Sequence, residues 1–134
     1  MRDIYTDRPR PTPRILQFGG GNFLRGVIDR KIDRMNEAAG FDWGVVILRS
    51  IGSAKGSALN AQGGLYTVLS RGIGEDGNAI SSPRVVASVR EELSCQTDWE
   101  KVVAFARDPL ITVVLSNTTE LGIVHDPAAQ LDQT

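Results

Sequence analysis

Residues 14–26 read RILQFGGGNFLRG, an apolar segment followed by three consecutive glycines. The apolar part follows a proline-rich arm and predicts a buried β-strand that the glycines terminate. Asn22 is a good N-cap, and apolar side chains then recur at 3.6-residue spacing as far as Gly40, which suits the position after a helix C-terminus. The segment therefore predicts a strand, a glycine turn and an amphipathic helix.

The next apolar run completes a βαβ unit. Residues 44–49 are almost entirely aliphatic, as in a parallel strand covered on both faces. Residues 65–71 and 84–89 are strand-like, and residues 74–78 between them have turn chemistry, so a β-hairpin is predicted after the second strand. The fold class is thus expected to be α/β, a Rossmann-type, mostly parallel sheet with an inserted hairpin.

The second half of the chain continues the alternation of helix and strand. A short helix is predicted near residues 58–61, in a segment rich in Gly, Ser, Ala and Asn. Thr97 or Asp98 can cap a helix over residues 99–107 that Pro109 ends, and residues 110–115 predict another buried strand. Residues 1–13 are rich in Pro and Arg and predict an extended N-terminal arm. The sequence stops in mid-pattern, so residues 14–134 are expected to form a partial, truncated Rossmann domain, with the C-terminal catalytic domain absent.

Composition narrows the class of protein. The 134 residues are 41% hydrophobic and 23% charged, which fits one soluble domain. The net charge of −1, spread along the chain, argues against a nucleic-acid partner. The sequence has neither an apolar run of the roughly 18 residues that a membrane span needs nor a secretory signal, so a cytoplasmic location is expected. Cys95 has no partner for an internal disulfide, and His125 lacks companion ligands, so no metal is predicted.

Ligands of open parallel sheets bind outside the carboxyl ends of the strands, and three predicted loops leave such ends, after Phe18, Arg49 and Leu115. Gly19 and Gly21 permit a tight turn and a close approach of the backbone to a pyrophosphate. The third glycine of the usual fingerprint is missing, so the loop alone is weak support. Its position between a strand and a helix favours dinucleotide binding over a structural turn.

Three further features each allow more than one interpretation. Arg25 could contact a phosphate or be an ordinary exposed arginine. Arg49 occupies the place where an acid usually binds the ribose; it could bind a 2′-phosphate, stack on adenine or face solvent, so NAD and NADP both stay open. Residues 116–122 could line a nicotinamide ribose or cap a following helix. General acid–base catalysis has no evident candidate, because the lysines fall in predicted helices or a loop: Lys31, Lys55 and Lys101.

Four segments in this order carry a family resemblance: RILQFGGGNFLRG, VVILR, QGGLYT and SNTTELG. From about residue 13 to residue 125, the chain resembles the N-terminal region of the mannitol dehydrogenase family of long-chain polyol dehydrogenases. The FLRG and SNTTE forms are most similar to the tagaturonate reductase (altronate oxidoreductase) branch. The resemblance implies a longer, metal-free enzyme that uses NAD and a small sugar-acid substrate, tagaturonate or altronate.

The resemblance also implies roles for individual residues. Catalytic lysine, asparagine and histidine residues belong to a helical C-terminal domain in this family, so none is assigned here and the chain alone is expected to be inactive. The family's preference for NAD outweighs the charge of Arg49. The predicted cofactor-binding residues are Gly19, Gly20, Gly21, Asn22, Phe23, Arg25, Arg49, Asn117, Thr118 and Glu120.

Two other functional classes stay open, a stand-alone nucleotide-binding module and a Rossmann-like domain for another ligand such as S-adenosylmethionine. The ending in mid-pattern argues against the first, and the lack of an acid at residues 49–50 argues against the second. The oligomeric state is left open.

Overall fold

A computed structural model of the chain describes residues 10–52 and 57–118. The predictions for most of the N-terminal arm, for Lys55, for Glu120 and for His125 lie outside these ranges. Within them the chain forms, in order, strand β1 (Pro13–Phe18), a π-helical segment (Leu24–Asp29), helix α1 (Arg30–Ala39), β2 (Gly44–Arg49), α2 (Ala58–Ala61), β3 (Tyr66–Ile73), β4 (Ala79–Val86), β5 (Val89–Ser94), α3 (Trp99–Arg107) and β6 (Val113–Ser116).

Four of these strands form a parallel sheet in the order β5-β2-β1-β6. The centre of the sheet is β1, where Leu16 pairs with Val46 of β2 on one side and with Val114 of β6 on the other. The chain therefore proceeds outward from β1 in both directions, which makes the carboxyl end of β1 the topological switch point of the sheet. The predicted α/β class with a parallel sheet is confirmed.

The sheet packs helices on both faces because its side chains alternate. On one face Ile15 and Ile47 pack with Ile32 of α1, and on the other Leu16 and Leu48 form a cluster with Val102 of α3. The aliphatic side chains of β2 are fully buried, in agreement with its continuous apolar sequence. In the described parts of the chain, no helix is long and apolar enough to cross a membrane.

The hairpin is confirmed, but one of its predicted boundaries is wrong. Strands β3 and β4 form a separate antiparallel sheet joined by the predicted turn. The segment 84–89, predicted as one strand, is divided between β4 and β5. At the break the Ala87 N–H donates to the Asp33 carboxylate (2.9 Å), and the Ser88 hydroxyl donates to the Asp29 carbonyl (2.8 Å). These bonds to the first helix lead the chain from the hairpin back into the parallel sheet.

The side chains of two predicted N-cap residues do not make the expected bonds to the helix backbone. The first helix opens with the Arg25 N–H donating to the Gly21 carbonyl (3.1 Å), whereas the Asn22 side chain accepts a bond from the Arg25 guanidinium. Asp98 stands at the start of α3, but its carboxylate accepts from the Ser94 N–H (2.9 Å) and forms no capping bond. In both places a group three or four residues away takes the side-chain oxygen that capping would have used.

Candidate cofactor site

The glycine turn lies at the carboxyl end of β1 and each glycine in it meets a different environment. Gly19 has a φ of +92°, a left-handed conformation, and its N–H donates to the Leu48 carbonyl of β2 (2.8 Å). A Cβ on Gly20 would lie 3.3 Å from Ile47 Cγ2 and 3.4 Å from the Glu92 carboxylate, so the turn packs closely on the sheet there. A Cβ on Gly21 would meet no atom of the described residues within 4 Å. Gly21 therefore leaves open space at the start of the helix.

A cavity of about 410 Å³ opens beside this turn. Its volume falls in the range of small-molecule sites, roughly 300 to 1,000 Å³. It lies at the carboxyl ends of β1, β2 and β5, where open α/β sheets bind ligands. The cavity brings together three of the predicted residues with one acid that was not predicted, and its lining is Gly20, Arg25, Arg49, Ser57, Ala58, Leu59 and Glu92.

Contacts of both its side chain and its backbone hold Arg25 in place. Its guanidinium donates to the Asn22 side-chain oxygen (3.1 Å) and lies 5.9 Å from the centre of the Tyr66 ring. The Tyr66 hydroxyl donates to the Arg25 carbonyl (2.8 Å). Asn22 thus orients a cation rather than capping the helix, and the hairpin contributes Tyr66 to the support. Phe23, also predicted to contact cofactor, is half exposed on the first helical turn.

Beneath the turn, the buried side chains of Gln17 and Asp29 form a polar pair. The Gln17 amide nitrogen donates to the Gly19 carbonyl (3.2 Å) and to the Asp29 carboxyl (3.3 Å). Burial raises the pKa of Asp29 to about 7, and the bond from Gln17 offsets only part of this rise. Sequence reasoning missed the pair. At about 100° per residue, Asp29 and Asp33 fall outside the apolar stripe of the predicted helix, so its periodicity did not indicate that both are buried.

At the end of β2, Arg49 stands next to an acid from the neighbouring strand. Its Nε lies 3.8 Å from a carboxylate oxygen of Glu92, and the other carboxylate oxygen accepts a hydrogen bond from the Ser57 hydroxyl. Glu92 was missed because β5 was not predicted as a strand. The apolar residues on either side of Glu91 and Glu92, Val89 and Leu93, were the signal that could have indicated this strand.

The third predicted loop follows β6 on the other side of β1. Ser116 pairs with Phe18, so Asn117 and Thr118 come directly after the strand at the same edge of the sheet as the glycine turn. Both are exposed, and neither lines the 410 Å³ cavity, which lies toward β2. Their predicted contact with the cofactor stays a prediction.

A second, larger cavity of about 550 Å³ lies at the opposite end of the sheet, near the starts of β1 and β2. Pro11, Asp42 and Phe41 are among the residues that line it. Ligands of open parallel sheets bind at the carboxyl ends of the strands, so the smaller cavity is the better candidate. No group of three His, Cys, Asp or Glu side chains in residues 10–52 and 57–118 is arranged to hold a metal ion.

Comparison with known proteins agrees with this geometry. Residues 13–133 match the family described as the mannitol dehydrogenase Rossmann domain. The chain belongs to the mannitol dehydrogenase family. Among curated members, it is 46% identical over 112 residues to an altronate oxidoreductase of Pectobacterium carotovorum, covering 84% of this chain and 23% of the relative. A Klebsiella pneumoniae altronate oxidoreductase is 41% identical over 119 residues, covering 89% and 25%. The chain spans about a quarter of the length of these relatives.

Solved structures of dehydrogenases share the fold. A substrate-free D-sorbitol dehydrogenase matches with a TM-score of 0.68 and 29% identity, covering 83% of this chain and 23% of the other. The mannitol 2-dehydrogenase of Pseudomonas fluorescens, in a ternary complex with NAD and D-mannitol, matches with a TM-score of 0.69 and 21% identity, covering 86% and 23%. The predicted Rossmann fold and family are both confirmed.

Proposed function

We propose that this chain is the NAD(H)-binding portion of an oxidoreductase that transfers a hydride between NAD(H) and a sugar acid of the tagaturonate and altronate type. The observation that carries the proposal is the glycine turn after β1, which opens onto a cavity flanked by the supported cation of Arg25. Membership of the mannitol dehydrogenase family, a structural relative bound to NAD, and relatives named altronate oxidoreductase support it.

The residues present fit a dinucleotide. Gly21 leaves room for a pyrophosphate at the start of the helix, where backbone N–H groups and the helix dipole favour an anion. Arg25 supplies a positive charge beside that position. Ser57 and Arg49 would face the adenosine half, while Asn117 and Thr118 follow the strand on the nicotinamide side. When bound, NAD supplies the hydride acceptor, and this chain's residues hold and orient it.

Moving a hydride from a secondary alcohol also requires a group that accepts the hydroxyl proton. The described residues of the site contain no lysine or histidine at the cavity. The proposal therefore assigns proton transfer and sugar-acid binding to the part of the whole protein that this chain does not span. An assay of the whole protein with NAD and altronate, compared with mannitol, tests the substrate. Turnover of mannitol but not altronate would overturn the sugar-acid assignment.

Gly21→Val tests the cofactor site directly. We expect it to weaken NADH binding by at least about tenfold, or ~1.4 kcal/mol, because a branched side chain would occupy the space left for the pyrophosphate. The melting temperature should stay unchanged, since no atom of residues 10–52 and 57–118 lies within 4 Å of the new Cβ. NADH fluorescence titration measures the affinity.

Gly72→Val is the matched control, because Gly72 lies on the hairpin and its Cβ position is equally free. It should leave NADH affinity unchanged. If Gly21→Val binds NADH as tightly as the unaltered chain, the turn is not the phosphate site. If the unaltered chain binds no NADH, the proposed function itself is wrong.

A further inference from the structure

One acidic residue of the cavity comes from β5 rather than from β2. Glu92 of β5 pairs with Ile47 in the register of the sheet and lies on the same face as the glycine turn. Its carboxylate is 3.8 Å from the Arg49 Nε and is largely buried, with 12% of the side chain exposed against 43% for Arg49. Glu92 and Arg49 therefore form a charge pair at the end of the cavity next to β2 and β5.

The position of Glu92 is set by α2 as well as by β5. The Ser57 hydroxyl, at the start of α2, donates to the Glu92 carboxylate. The Asn60 side chain pairs with the backbone of the same residue, donating to the Glu92 carbonyl (2.8 Å) and accepting from its N–H (2.7 Å). Asn60 thus satisfies backbone groups on a strand that has no neighbour on this side in the described sheet. The acid is held in place, while its partner Arg49 is free to turn toward solvent.

The charge at this end of a dinucleotide site decides between the two nicotinamide cofactors. An acid usually binds the ribose 2′-hydroxyl of NAD, whereas an arginine accommodates the 2′-phosphate of NADP. Arg49 alone would favour the phosphate. Glu92 opposes that effect, because its charge neutralises the guanidinium and would repel a phosphate placed beside it.

We propose that Glu92 determines cofactor preference, making NAD(H) favoured over NADP(H) by pairing with Arg49 and excluding a 2′-phosphate. The acid that Rossmann proteins usually carry at the end of the second strand is, in this chain, provided by the neighbouring strand. This inference rests on the proposed function, since it concerns the same cavity.

Titration of NADH and NADPH against Glu92→Gln tests the proposal. Glutamine keeps an oxygen for the Ser57 hydroxyl but removes the charge, so NADPH affinity relative to NADH should rise by about tenfold. The ratio is informative because the two cofactors differ only in the 2′-phosphate, and a general loss of structure would weaken both alike. Glu91→Gln is the control: Glu91 pairs with Val46, whose side chain faces α3, so the ratio should not move.

Arg49→Gln tests the same charge pair by substituting its more exposed residue, a change that should affect folding little. It leaves Glu92 unopposed, so NADPH affinity relative to NADH should fall below that of the unaltered chain. The proposal is overturned if the unaltered chain prefers NADPH, or if both substitutions leave the ratio within twofold. In either case NADH binding and its loss in Gly21→Val would still support the proposed function, which fails separately if the unaltered chain binds neither cofactor.

Discussion

Gly64→Ala is expected to destabilise the folded chain by about 3 kcal/mol or more, a large share of the stability of a domain this size. Gly64 lies between α2 and β3 with a φ of +86°, which an alanine adopts only with strain. A Cβ there would also stand 2.1 Å from the Val89 carbonyl oxygen and 2.9 Å from its carbon. Because the obstacle is the backbone of β5, no side chain can rotate out of the way. Urea denaturation followed by circular dichroism measures the loss.

The adjacent residue separates strain from steric contact. Gly63 has a φ of +63° but would place a Cβ within 4 Å of nothing, so Gly63→Ala carries the left-handed strain alone, about 1–2 kcal/mol. The loss of unfolding free energy in Gly64→Ala minus the loss in Gly63→Ala is the cost of forcing the loop away from β5. Equal losses for both would show that the close approach to Val89 is not what requires glycine at position 64.

Asp29→Asn is expected to stabilise the chain at pH 8 and leave it nearly unchanged at pH 4. Burial holds the pKa of Asp29 at about 7, above the ordinary value of 3.8 for an aspartate, so between these values the folded state binds more protons than the unfolded state. The free energy of unfolding that Asp29 contributes is therefore fully present below about pH 4 and falls as the pH rises toward 7. At about 1.4 kcal/mol per unit, the loss by pH 8 is about 4 kcal/mol.

Asparagine keeps an oxygen that can accept the bond from Gln17 but never ionises, so the pH-dependent loss disappears. The measurement is the difference in unfolding free energy between the variant and the unaltered chain from pH 4 to pH 8. That difference cancels titrations elsewhere, such as Asp42, whose pKa is lowered by bonds from Thr12.

Asp33→Asn is the contrasting substitution on the same helix face. The Asp33 carboxylate accepts from the Arg84 guanidinium (2.8 Å) and from the Ala87 N–H (2.9 Å), so its negative charge is stabilised by an ion pair and by a backbone donor. Removing it should destabilise the chain at pH 8. A pH-independent difference for Asp29→Asn, or a loss of stability at pH 8, would contradict the raised pKa of the buried carboxyl at position 29.

Much of the site could be predicted because its residues lie close together in sequence. The glycine turn, the helix after it and the strands β1 and β2 depend on residues within a single βαβ unit, and hydrophobic periodicity identifies such units directly. The predicted helix over residues 58–61 and the hairpin turn over 74–78 are likewise local, since Ser57 and the Asp-Gly pair act on their own neighbours. Arg25 was identified by its place in the first helical turn and Arg49 by its place at the end of the second strand, and the structure brings both to one cavity.

The missed features depend on residues far apart in the chain. Glu92 lies 43 residues from Arg49 in sequence and becomes its neighbour only because β5 pairs with β2, while Tyr66 reaches Arg25 only because the hairpin folds onto the first helix. The short strand β5 has two acids among its six residues, so its apolar signal is weak, and its stability comes from the ladder to β2 and from Asn60.

The sequence by itself determined the fold class, the family resemblance and the glycine turn, because each follows from local propensity and spacing. Only the tertiary structure decided the charge balance of the cavity and the raised pKa of Asp29. Both are set by burial and by the distance between groups from different elements, and electrostatic energy depends on exactly those quantities rather than on separation along the chain.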